Sequence, residues 1–255
     1  FIGFLDDVKI KISPLKRLSI MIICLVFLIY FLPIKIFNMD IPFLIILLQN
    51  NIFSTIFVLL CFLFIVNGAN LIDGFNGMLT INLIIINIIL IYVNLNSGNN
   101  EFSVFLISQI IILLTFLLFN FPNAKIFLGD SGSYLMGSLV ALNTITTNNL
   151  NPNISSFFFC ILLFYLFFEV FFSFIRKIIQ KKSPIHPDSK HLHMLSYQKI
   201  KPILGKNRSN YLNSIFVNIV YFILIFPGLY YYEDPVLSRY WFFTLILIYL
   251  IIYFR

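Results

Sequence analysis

Eight apolar runs, each near the length of a bilayer-crossing helix, dominate this chain. They fall at about 18–33, 52–68, 78–95, 102–119, 132–147, 154–175, 212–232 and 239–254. Over 255 residues the chain is 60% hydrophobic and 11% charged, with mean hydropathy +0.97, more apolar surface than a water-soluble globule can cover with polar groups. The reading is an all-α, polytopic transmembrane helical bundle of about eight spans, one integral-membrane domain over residues 1–255. The fifth run, "GSYLMGSLVALNTITT", is short and rich in Gly, Ser and Thr, the composition of a helix packed tightly inside a bundle.

Charge tests the count. Eight spans place residues 1–17, 69–77, 120–131 and 176–211, with Arg255, on one side of the membrane. Of the 17 Lys and Arg residues, only Lys35 and Arg239 fall opposite. Removing the fifth span would move the basic 176–211 loop across and destroy the asymmetry, so the span is kept and the basic side is read as cytoplasmic. Net charge is +7, and this basic excess is a matter of topology: no nucleic-acid partner is expected. Cys24, Cys61 and Cys160 lie within apolar runs and read as small core hydrophobes rather than as disulfide or zinc ligands. The chain opens on Phe1, with charged motifs from Asp6 onward, so N-terminal spans are expected to be missing.

Four polar motifs fall on the basic side. In "GFLDD", Asp6 and Asp7 are either the solvated first turn of a helix or an acidic pair able to bind a divalent cation or take a proton. In "NGANLIDGFNGML", Asn70 and Asp73 share a helix face if the preceding span continues, with Asn67 one step behind; they form either a capped polar helix end or a prepared ligand site. In "NAKIFLGDSGS", Asp130 is either the N-cap of the next span or a carboxylate beside helix N–H groups suited to metal-bound phosphate. The same letters surround a serine protease nucleophile, but that reading needs a soluble β-barrel. In "SPIHPDSKHLHM", two prolines favour an extended or turn segment, and His186, His191 and His193 lack standard zinc spacing; a His pair among lysines suits phosphate. Glu169, inside "YLFFEVFFSFIRK", must face the bundle or a partner, with Arg176 two turns along the same helix.

The four motifs in this order resemble the polyprenyl-phosphate N-acetylhexosamine-1-phosphate transferases, over Phe1 to about residue 200. The resemblance implies transfer of an N-acetylhexosamine-1-phosphate from a UDP-sugar to undecaprenyl phosphate, with release of UMP, as the first membrane step of O-antigen or other envelope-glycan synthesis. It further implies a multi-pass protein of the bacterial inner membrane with a cytoplasmic-face active site, UDP-N-acetylhexosamine and undecaprenyl phosphate as partners, and a homodimer as one arrangement. By position, Asp6 and Asp7 match the family's aspartate pair, which the resemblance makes the base or lipid-phosphate contact, Asp7 by preference, and Asn70 and Asp73 match its second motif. Asp130 matches its Mg²⁺ ligand, with Asn70 as second ligand and Mn²⁺ as alternative ion. His191 and His193 match the histidine motif, Phe127 falls where an aromatic meets uracil, and Lys125 and Arg176 complete the substrate-binding set. Asn76 stands where many members carry Asp, and Met194 where many carry a third His. The "HLH" form is similar to the O-antigen branch more than to the phospho-N-acetylmuramoyl-pentapeptide transferases, which remain the alternative. An ion-coupled transporter, the rival of another class, would place its ionisable residues nearer mid-membrane.

Overall fold

Every apolar run folds as helix. The computed structural model describes residues 2–8, 13–32, 34–184 and 189–255, without the side chains of Ile2, Leu5 and Asp6. A short α1 (Ile2–Asp7) precedes α2 (Pro14–Phe31), α3 (Pro42–Leu48), α4 (Asn51–Ile72), α5 (Met78–Asn96) and α6 (Asn100–Asn120). Then come α7 (Gly129–Leu150), α8 (Ser156–Leu162), α9 (Phe164–Ile179), α10 (Leu192–Leu204), α11 (Lys206–Ile225) with a 3₁₀ turn at Phe226–Leu229, and α12 (Pro235–Phe254). Among the described residues, six helices are long and apolar enough to cross a membrane, namely α2, α4, α5, α6, α11 with its 3₁₀ turn, and α12. The pair α8 and α9, bent by 77°, is a seventh if it forms one span. The fifth expected span, α7, has 22 residues but is less apolar and is not among them, so six or seven stand against the expected count of about eight.

The centre of the bundle is α4, packed on α7, α9 and α2. Small residues allow the approach. A Cβ on Gly68 of α4 would lie 2.1 Å from the carbonyl oxygen of Leu166 in α9, so only glycine lets these backbones meet. The Gly- and Ser-rich α7 is packed inside, as its composition suggests. Outward faces such as Ile111, Leu118, Phe243 and Leu247 are exposed and apolar, as lipid contact requires.

Amides in the apolar interior find partners across helices. Gln109 of α6 accepts from Asn143 of α7 at 2.8 Å, Asn94 of α5 donates to Thr147 at 2.9 Å, and Asn218 of α11 donates to the Met78 carbonyl at 3.1 Å. Such bonds fix helix register at about 0.6–2 kcal/mol each.

Three local expectations change. The run at 154–175 is not one straight helix but breaks at Leu163, where Tyr221 of α11 donates to the Leu162 carbonyl; a side chain taking a ladder carbonyl is a usual cause of a kink. Next, the cysteines are not all core residues. Cys24 and Cys160 are exposed, and Cys160 lines an apolar cavity together with the half-buried Cys61. Finally, the last residues of the histidine motif are helical: α10 begins at Leu192, and Asn213 of α11 anchors it by donating to the His193 carbonyl at 2.9 Å.

Candidate functional site

The lysine-rich end of the bundle gathers three of the four motifs around the N-terminus of α7. This helix starts at Gly129, so Asp130 lies in its first turn rather than at its N-cap, and the Leu128 N-cap makes no side-chain bond. The orphan N–H groups of that turn are taken from outside. Asp7 accepts from the Asp130 N–H at 2.9 Å, the Ser131 N–H at 3.1 Å and the Ser131 hydroxyl at 2.5 Å. Gly3 makes the docking of α1 possible, since a Cβ there would sit 2.3 Å from the Ser131 nitrogen. Burial works upward on the Asp7 carboxyl, but the Ser131 hydroxyl and the two N–H groups prevail and hold it below the usual aspartate range.

Asp130 is held from two sides. Asn70, on the last turn of α4, donates to it at 2.7 Å and to the Ser133 hydroxyl at 3.0 Å, and Arg17 of α2 forms an ion pair with it at 2.5 Å. The span does continue through the motif, as the shared-face argument requires: α4 runs to Ile72 and Asp73 is its C-cap. Asp73 lies close enough to Asp130 and Asp7 to feel both. Burial first, and these two charges second, push its carboxyl up to about 7. Three mutually repelling carboxylates thus gather here, while Asn70 turns its amide NH₂ toward Asp130 and Asp7 takes the N–H groups of Asp130 and Ser131. Among the described residues no group of three or more His, Cys, Asp and Glu is spaced to enclose a metal. Mg²⁺ does not need one, because it takes one or two carboxylates and completes its shell with water and phosphate oxygens.

The histidine motif splits. His191 lines a cleft of about 530 Å³ that also reaches Arg17 and Asn70. Its Nδ1 lies 3.1 Å from Glu169 Oε2, and the Leu192 N–H donates to Glu169 Oε1 at 3.0 Å. His193 points inward. It is fully buried, with Nδ1 at 3.1 Å from the Tyr165 hydroxyl and the Phe75 ring edge-on at 5.9 Å. Burial lowers its pKa to about 4, and His191 adds to this, against an upward pull from Glu169, so the ring is neutral at pH 7.

The remaining candidates sit further out. Phe127 and Lys125 are exposed on the loop before α7, Phe127 at 72%. Asn76 is a joint: it accepts nothing from the cleft residues, but donates to the Pro122 carbonyl at 2.8 Å, and its N–H bonds Asn210 of α11 at 2.8 Å. Arg176 is buried beside Ser173, with Tyr253 under its guanidinium at 5.9 Å, and it is Lys177 that lines the cleft. Asp6 (its side chain), His186 and Asp188 lie outside the described residues. Arg17 was visible in the sequence only as one more positive-inside charge. Its place against Asp130 comes from α2 packing on α4.

The model of glycosyl transferase family 4 matches residues 1–148, which carry the three motifs around the α7 N-terminus. The chain belongs to glycosyl transferase family 4. A relative from Thermotoga maritima, an undecaprenyl-phosphate alpha-N-acetylglucosaminyl 1-phosphate transferase, is 31% identical over 57% of this chain and 44% of its own length. A probable undecaprenyl-phosphate N-acetylglucosaminyl 1-phosphate transferase from Bacillus subtilis is 34% identical over 51% of this chain and 36% of its own. A phospho-N-acetylmuramoyl-pentapeptide-transferase from Clostridioides difficile is 30% identical over 73% of this chain and 62% of its own. This family 4 chain thus spans about a third to two thirds of the length of these relatives. The resemblance drawn from its motifs holds, and the matched region contains Asp7, Asn70, Asp73 and Asp130 within one charged constellation.

Proposed function

We propose that this family 4 chain transfers an N-acetylhexosamine-1-phosphate from a UDP-sugar to undecaprenyl phosphate, at the cytoplasmic face of a bacterial inner membrane. The observation that supports it best is the cleft between α2, α4 and α9. Its walls are apolar, with Leu18, Met21, Leu60, Leu63 and Phe174, and its mouth is polar, with Arg17, Asn70, Lys177 and His191. An amphiphile with one anionic head and a long hydrocarbon tail has that polarity. A second cavity of about 340 Å³, almost wholly apolar, shares Leu60 and Phe64 with the cleft and extends past the bend at Leu163, which gives an isoprenoid tail further apolar surface.

In the proposed reaction an oxygen of the lipid phosphate forms a bond to the sugar-bearing phosphorus, and the bridging P–O bond breaks, releasing UMP. Asp130 would hold Mg²⁺, or Mn²⁺ in its place, with Asn70 as second ligand after a flip of the amide that now donates to Asp130; when bound, the ion would neutralise charge on the diphosphate. Arg17 and Lys177 attract and orient the lipid phosphate. Asp7, kept ionised by its three donors, is a weak base and serves to fix the α7 N-terminus. Asp73, with a proton affinity near neutrality, is better matched to hold or pass a proton. His191 donates to a phosphate oxygen, and His193 packs behind it against Tyr165.

A second reading stays within the same chemistry: transfer of phospho-N-acetylmuramoyl-pentapeptide, favoured by the C. difficile relative that matches the greater part of this chain. Membranes containing the protein, given undecaprenyl phosphate and either radiolabelled UDP-N-acetylglucosamine or radiolabelled UDP-N-acetylmuramoyl-pentapeptide, separate the two. Lipid-extractable label from the first donor supports the proposal and from the second the alternative. Label from neither, with donors of other N-acetylhexosamines also tried, would overturn both.

A further inference from the structure

Glu169 has no part in the constellation around Asp130, yet it is a carboxylate at 1% exposure on a helix that is otherwise mostly Phe, Leu and Ile. A carboxylate so placed is costly unless something nearby binds it. Two donors do, both from across the chain. The Leu192 N–H reaches Oε1 at 3.0 Å, and His191 Nδ1 lies 3.1 Å from Oε2. Leu192 opens α10, and its N-cap residue, His191, makes no side-chain cap of its own. One carboxylate therefore takes an orphan N–H at the start of α10 and also the near nitrogen of the imidazole that precedes it.

We infer that Glu169 is a positioning residue that fixes the tautomer and orientation of His191 for the cleft it lines. A carboxylate accepting from Nδ1–H places the ring's second nitrogen, Nε2, as the atom through which His191 meets a phosphate. The Leu192 N–H bond holds the backbone to the same carboxylate, so Glu169 ties both the ring and the start of α10 in place. His193 shares none of this. Its Nδ1 faces Tyr165, and the two imidazoles stack with centroids 5.7 Å apart, so the pair divides into one ring presented to the cleft and one held in the core.

This inference rests on the proposed phosphotransfer only for its kinetic consequence, and it is tested in two arms. The first needs no activity. With only three histidines in the chain, ¹⁵N-histidine NMR of the detergent-solubilised protein should show an Nδ1-protonated imidazole that disappears in H191N and shifts in E169Q. The overturning result is a His191 signal of the Nε2–H tautomer, or one that E169Q leaves unchanged. The second arm is a cycle on the transferase assay. E169Q should lower kcat roughly 10- to 100-fold, the usual effect of removing a partner that orients a functional histidine, with E169D recovering part of it. In an H191N background the same change should have an effect of less than about twofold, because coupled residues are not additive. Equal losses in both backgrounds would make Glu169 a purely structural cap. Wild-type protein without transfer activity would count against the proposed function alone, since the NMR arm still decides the inference.

Discussion

Asp7 and Asp130 are 123 residues apart in sequence, yet the carboxylate of the first accepts the backbone N–H of the second at 2.9 Å. Through this bond and its two companions to Ser131, a helix outside the spans caps a helix inside the bundle. Asp7→Ala should therefore loosen α1 from α7. Because Asp7 is exposed, the loss of stability should be modest, about 1 kcal/mol or less. Its folded pKa is depressed, so its contribution is complete above the ordinary aspartate value of about 3.9 and fades as pH falls below it. Thermal denaturation in detergent should show wild type and Asp7→Ala converging at the acid end and separated at pH 7.

Asp130→Asn should abolish divalent-cation-dependent transfer while leaving membrane insertion intact. The change removes one formal charge from the hard-oxygen set and the ionic part of its bond to Arg17. A loss of about 3 kcal/mol in transition-state stabilisation corresponds to roughly a 100-fold drop in rate. Turnover near wild type, measured over a Mg²⁺ titration, would remove Asp130 from the metal site.

Asp73 should make the fold less stable as pH rises. Its folded pKa of about 7 lies above the unfolded value of about 3.9, so the unfolded chain gives up its proton first. The penalty is absent below about pH 4, grows through the interval and is complete above pH 7. Asp73→Asn should flatten this trend, and Mg²⁺ should raise the melting temperature of the wild type more at pH 8 than at pH 5. A melting temperature insensitive to both pH and Mg²⁺ would show that the three carboxylates do not interact.

His193 has the opposite sign. Its folded pKa of about 4 lies below the unfolded value of about 6.5, so stability is full above that value and is lost as pH falls from 6.5 toward 4. The difference is of the order of 3 kcal/mol for a fully buried ring. His193→Gln should remove most of this acid sensitivity, as read from melting temperatures at pH 7 and pH 5, and an unchanged acid slope would assign it to other groups.

Single cysteines at Ser189 and Asn100, both exposed, should react with an impermeant thiol reagent from opposite sides of the membrane once Cys24, Cys61 and Cys160 are replaced. Fifteen of 17 basic residues on the Ser189 side motivate this. Equal labelling of both positions in intact cells would break the eight-span topology.

Sequence alone determined where the long apolar helices lie, though not the short α3, the break between α8 and α9 or the polar α10, because span length and apolar continuity are local properties that a bilayer enforces residue by residue. The runs at 78–95 and 102–119 match α5 and α6 to within two residues at each end. It also marked Asn70, Asp73 and Asp130 as polar residues at span boundaries, leaving to the structure that α4 runs on to Ile72 and that Asp130 lies in the first turn of α7 rather than at its N-cap. What only the tertiary structure decided are the pairings between distant segments. The capping of α7 by Asp7, the seat of Arg17 against Asp130, the bend at Leu163 and the division of labour between His191 and His193 all join residues 22 or more positions apart. Periodicity carries no information about such pairs. They are fixed by which helix faces can approach, and that is set by small residues such as Gly3 and Gly68 and by buried polar groups that must find partners once water is excluded.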